Sequence, residues 1–146
     1  MKESLMSPMA LAEACGESMF DADNASQALG MKLESIEPGR AVMTMKVRRD
    51  MLNGHSSCHG GFIFALADSA FAFACNSRNV STVGQACSID YVRPGREDET
   101  LSALAVERHL AGRTGLYDVT VSNESGEDIA YFRGKSYRIN SAVLSS

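Results

Sequence analysis

The sequence lacks any basic tract. Its 14 Lys and Arg are interspersed with 18 Asp and Glu, for a net charge of −4. Nucleic acid recognition needs a clustered cationic face, so no nucleic acid partner is expected. The longest greasy run, Gly60 to Cys75, falls short of the about 20 residues that span a bilayer, so no membrane partner is expected either. The opening MKESLMSPMALAEACGESMF has an early Glu and Pro and no continuous apolar stretch, unlike a signal peptide. A cytoplasmic location follows as the expectation. Cys15, Cys58, Cys75 and Cys87 form no CxxC pair, so reduced thiols are expected. There is no G-x-S-x-G turn, which removes the main support for a Ser-His-Asp triad. Internal repeats, low-complexity tracts and linkers are absent, and 45% of the residues are hydrophobic. Residues 1–146 therefore read as a single domain able to bury a core.

What is present divides into helix and strand signals. Residues 1–30 predict an N-terminal helical segment, with helix over 8–29: Pro8 suits a first turn and Gly30 a stop. Gly16 and Asp21 weaken its middle and predict two short helices. MKLESIE and RAVMTMKVR alternate about a Pro38-Gly39 turn and predict a strand pair. Residues 48–59 predict a loop, and residues 60–76 a hydrophobic helix. Four β-like segments follow, at 81–92, 100–111, 115–123 and 127–138. Their short turns predict a four-strand antiparallel meander. A helix apolar on nearly all sides must be covered on nearly all sides. The expected fold is α+β, a curved antiparallel sheet wrapped around one central helix.

From Gly60 to Cys75 the only charged side chain is Asp68. A buried carboxylate without partners is costly or has a raised pKa. Pairing, loop capping or a subunit interface would each explain it. Upstream, His59-Gly60-Gly61 stands at the expected helix start, where unpaired N–H groups and the positive dipole end meet. Gly60 and Gly61 let a ligand oxygen approach the backbone closely. An oxyanion-type donor and a basic carboxylate on one helix suit attack on a carbonyl.

These residues resemble a family. MLNGHSSCHGGFIFALADSAFAFACNS, SIDYVRPGREDETLSALA, GRTGLYDV and IAYFRGKSYRI are similar to the phenylacetic acid degradation thioesterases, over about Leu29 to Ile139. The resemblance implies the hotdog fold and homotetramers built as dimers of dimers. It also implies hydrolysis of aryl-acyl-CoA with no metal or prosthetic group, coenzyme A being part of the substrate. Matched by motif, Asp68 resembles the catalytic carboxylate and Gly60 the residue whose N–H polarises the thioester carbonyl. Asn53 resembles the loop residue that positions carbonyl or water, and His59 the residue that shapes the oxyanion loop. Many relatives carry a Ser or Thr about 18 residues after the acid. Here Gly84-Gln85-Ala86 stands there, flanked by Thr82 and Ser88, so either Gln85 substitutes or the role is absent.

Rival readings use the same stretch. His55, Cys58 and His59 contain metal-ligand types, but adjacent Cys58 and His59 point apart in most backbones and no second ligand cluster follows. A Cys58 nucleophile is weighed against a small buried thiol. A non-catalytic acyl-CoA binder and a hotdog hydratase or dehydratase are the competing functions. Arg93, Arg113, Arg133 and Lys135 are surface charges or contacts for coenzyme A phosphates. Gly61 lies seven residues before Asp68, about 10 Å along a helix axis. One helix does not easily supply both donor and base directly to one carbonyl, although a bridging water narrows the gap, so active sites shared between subunits are expected.

Overall fold

The computed structural model describes residues 5–145. Residues 1–4 of the expected helical segment, and Ser146, lie outside that range. The described residues form three α-helices and one sheet: α1 (Pro8–Ala22), α2 (Asn24–Ala28), β1 (Lys32–Glu37), β2 (Arg40–Lys46), α3 (Gly60–Cys75), β3 (Thr82–Tyr91), β4 (Thr100–Ala111), β5 (Thr114–Ser122) and β6 (Asp128–Arg138).

The N-terminal helix does break in two, but at Asp23 rather than in its middle. Ser7 caps α1 by accepting from Ala10 N–H, with Pro8 in the first turn. The Asp23 carboxylate then accepts from Ser26 N–H and starts α2. Gly16 does not interrupt α1. It is the point of closest approach to β1, where a Cβ would stand 2.8 Å from Leu33 Cδ2.

The six strands run β1-β2-β4-β5-β6-β3, and every neighbouring pair is antiparallel. This corrects the expected meander: only β4-β5-β6 is one. β3 does not pair with β4 but lies at the far edge beside β6. The reason is α3, which carries the chain from β2 across the sheet. Asn76, just past the helix, then turns the chain into β3. Its side chain accepts from Thr82 N–H at 2.8 Å and donates to Thr82 O at 3.0 Å, as a strand backbone would.

The alternation in β2 holds, with Ala41, Met43 and Met45 buried. Leu101, Ala103 and Ala105 of β4, and Tyr117, Val119 and Val121 of β5, continue the same layer. Against it α3 buries Ile63, Leu66, Phe71 and Phe73, each burial stabilising by about 1.5–3 kcal/mol. Curved sheet and seated helix give the hotdog arrangement.

The depth of α3 is set by Phe71. Its ring is packed between Tyr117 and Phe132, at centroid distances of 5.6 and 5.8 Å. It lies on two strand residues without side chains. A Cβ on Gly84 would meet it at 3.2 Å, and one on Gly134 at 2.7 Å. Gly134→Ala therefore forces the helix or the ring to move. The expected loss is about 1–3 kcal/mol in urea denaturation, the usual range for overpacking, with partial recovery in the Phe71→Leu background.

Candidate active site

The loop before α3 is built by its own polar groups. Asn53 Oδ1 accepts from His55 N–H at 2.9 Å and Ser57 N–H at 3.3 Å. Asn53 N–H donates to Ser57 O at 2.8 Å, closing a tight turn with Ser56 at φ +61°. Two further bonds fix the loop's exit: Cys58 N–H to Gly95 O and His59 N–H to Met51 O, both 2.8 Å. Thus Asn53 holds the loop through its side-chain carbonyl oxygen.

His59 is the N-cap of α3. Its Nδ1 accepts from Gly61 N–H at 2.9 Å, which places the ring proton on Nε2. Gly61 N–H is thereby satisfied. Gly60 N–H has no acceptor among the described residues. The helix start thus presents Gly60 N–H as a free donor at the positive dipole end.

Asp68 lies on the same helix, but not where full coverage would bury it. It is exposed in the single chain. The sheet covers one side of α3 and leaves a stripe at Gly61, Ala65, Asp68 and Ala72, each half-buried or exposed. Those positions recur at helical spacing on one face. The expectation of a helix covered on nearly all sides is corrected here, because one sheet curves around only part of a cylinder. Asp68 is nonetheless crowded enough that burial raises its carboxyl above the ordinary 3.8. No cation pairs with it among the described residues.

Cys58 is buried and desolvation pushes its pKa to about 11, so it stays protonated and is a poor nucleophile. His55 and His59 are exposed, on the other side of the backbone's burial boundary from Cys58. Cys87, exposed on β3, was missed in the sequence. Burial and the nearby Asp68 raise its thiol. Tyr91 was missed too, although it stands in the SIDYVRPG stretch. Alternation along Cys87, Ile89 and Tyr91 puts all three on the α3 side of β3, the signal that could have found them.

Gln85 sits in a β-bulge, where the β3–β6 register shifts between Gly84 and Ala86, and it is exposed. Bulges re-aim side chains near active sites. The four basic candidates do not come together. Arg93 pairs with Glu127 and donates to Asp128 O at the β3–β4 connection. Arg113 donates to Arg138 O at the opposite end of the sheet. Arg133 holds Asp118 with two bonds of 2.7 and 2.9 Å on the outer face. Lys135 is exposed on that same face, without an ion pair among the described residues.

A raised carboxyl pKa has a sign. The unfolded chain ionises at about 3.8 and the folded one later, so Asp68 lowers stability as pH rises through that window. Asp68→Asn should be more stable than the parent chain at pH 7 in urea denaturation, with the difference vanishing below pH 3.8. A less stable Asp68→Asn at pH 7 would show that the carboxylate is paired.

Comparison with known proteins gives a consistent family. A family model described as the thioesterase superfamily matches residues 55–130. The acyl-coenzyme A thioesterase PaaI of Escherichia coli is 48% identical over 125 residues, covering 86% of this chain and 89% of that protein. A putative esterase of Archaeoglobus fulgidus is 35% identical, covering 89% and 84%. The solved structure of the E. coli PaaI protein from the phenylacetic acid degradation operon superposes with a TM-score of 0.92 at 46% identity, covering 93% of this chain and 99% of that one. A Streptococcus mutans protein bound to acetyl CoA superposes at 0.73 and 27% identity, covering 76% and 90%. The free N–H and the desolvated acid thus lie on the helix of a known hydrolase fold: the chain belongs to the thioesterase superfamily and is a thioester hydrolase.

Proposed function

We propose that this chain hydrolyses acyl-coenzyme A, with arylacetyl esters such as phenylacetyl-CoA and its ring-hydroxylated forms preferred, in cytoplasmic aromatic acid catabolism. The observation that carries the reading is the pair on α3: among the described residues, Gly60 N–H has no acceptor and Asp68 no cation. The named activity of the E. coli relative supports the thioester class, and its operon supports the aryl group.

The thioester oxygen accepts from Gly60 N–H, which stabilises the charge that develops there. Asp68 takes a proton from water as the water oxygen bonds to the carbonyl carbon. The C–S bond breaks, coenzyme A leaves as thiolate, and the Asp68 proton neutralises it. Asn53 Nδ2 orients the water or carbonyl, and His59 holds the donor turn. The reaction so written needs no cofactor, because coenzyme A enters as part of the substrate. Direct attack by Asp68 differs only in passing through an anhydride, and labelled solvent water distinguishes the two in a single turnover.

Gly60 and Asp68 are eight residues apart, about 12 Å along the axis at 1.5 Å per residue. With a donor about 3 Å from the oxygen and an attacking atom about 3–3.5 Å from the carbon, one carbonyl spans about 7 Å, and a bridging water narrows the remaining gap. The donor of one chain therefore works with the acid of another, across a two-fold axis that sets two α3 helices antiparallel. The open stripe on α3 and the exposed Tyr91 against its first turn support such a partner copy. The resemblance adds a dimer of such dimers. Lys135, and Arg93, Arg113 or Arg133 if released from their pairs, are the candidates for coenzyme A phosphates.

A thiol-release assay across aryl- and alkyl-CoA esters tests the reading. Phenylacetyl-CoA should show a higher kcat/KM than palmitoyl-CoA, and the opposite order sinks the aryl assignment. Asp68→Asn should lose at least about 10²-fold in kcat, the low end for a general base, with the fold and substrate affinity kept. Tight coenzyme A binding without turnover of any ester would favour a non-catalytic binder.

A further inference from the structure

Helix α3 begins with consecutive glycines, the residue type with the greatest backbone freedom. A donor that meets a developing charge works best when its direction is fixed beforehand. The peptide joining Gly60 to Gly61 is pinned at both ends. Its N–H donates to His59 Nδ1 at 2.9 Å. Its carbonyl, Gly60 O, accepts from the Tyr91 hydroxyl at 2.9 Å. The Tyr91 ring also lies on Gly60, where a Cβ would stand 3.1 Å from ring Cζ.

We propose that Tyr91 is a positioning residue for the thioesterase reaction: its hydroxyl bond to Gly60 O fixes the first turn of α3, so that Gly60 N–H stays aimed at the thioester oxygen. This rests on the roles given to Gly60 and Asp68 above. Tyr91 is 49% exposed in the single chain, so packing within the chain does not explain a bond from β3 to this one carbonyl. Burial raises its phenol above the ordinary 10, which keeps the proton on the donor at neutral pH. His59 and Tyr91 grip one peptide, so the losses on removing each do not simply add.

Tyr91→Phe keeps the ring and removes the bond. With phenylacetyl-CoA, kcat should fall about tenfold, below the 10²–10³ that a direct oxyanion donor is worth. KM should stay within about twofold, the sign of an interaction made in the transition state. Independently of activity, the Gly61 amide should exchange faster with solvent in the variant, measured by NMR. A kcat within twofold of the parent, a rise in KM alone, or unchanged Gly61 exchange overturns the proposal. Asp68→Asn separates the two levels. If it retains turnover, the underlying site reading fails. If it is inactive while Tyr91→Phe is unaffected, only the role of Tyr91 falls.

Discussion

Phe71 lies against two strands that offer it no side chain, Gly84 of β3 and Gly134 of β6. That contact sets how deep α3 sits, and the rest of the molecule follows from the depth. With Phe71 seated, Leu66, Ala67, Ala70 and Ala74 are fully buried on the sheet side. The opposite stripe, with Gly61 and Asp68, must then face outward. Asn76 fixes the helix end against β3, and His59 with Tyr91 fixes its start. A second constraint holds the far end. Arg78 pairs with Glu107, which also accepts from the Tyr117 hydroxyl at 2.8 Å, tying the loop after α3 to β4 and β5.

The placement of an acid on this helix then has a physical account. Asp68 avoids the full desolvation penalty because the sheet does not close over it. It is still crowded enough for its carboxyl pKa to rise. A carboxylate left partly desolvated and without a cation is a better base than one in a salt bridge. Some of the other acids are held by cations instead. Arg133 and Arg108 hold Asp118 below the usual carboxylate range. The contrast between Asp118 and Asp68 separates an acid used for surface pairing from one available for chemistry.

Much of this was legible in the residues. The alternation of Ala41, Met43 and Met45, the turn at Gly39 and the start of α3 at Gly60 all appear where pattern placed them. The strand order did not, because turn signals report only local connections. β3 reaches the far edge through Asn76, whose side-chain bonds to Thr82 have no periodic signature. How much of α3 one chain leaves open was not legible either. Composition shows that a helix is apolar, but not how much of it one sheet covers. At the site, the HGG start and the acid could be read from spacing. The bond from Tyr91 to Gly60 spans 31 residues and emerges only once β3 is in place.

The proposed site sets one chain's Gly60 N–H and another's Asp68 on the same carbonyl. The direct measurement mixes Asp68→Asn chains with Gly60→Pro chains, which lack that N–H. The mixture is unfolded and refolded, mixed dimers are verified by mass spectrometry, and phenylacetyl-CoA hydrolysis is followed. A shared site predicts recovered activity, because each mixed dimer contains one intact donor–acid pair. Verified mixed dimers as inactive as the two parent variants would place the site within a single chain and contradict the account.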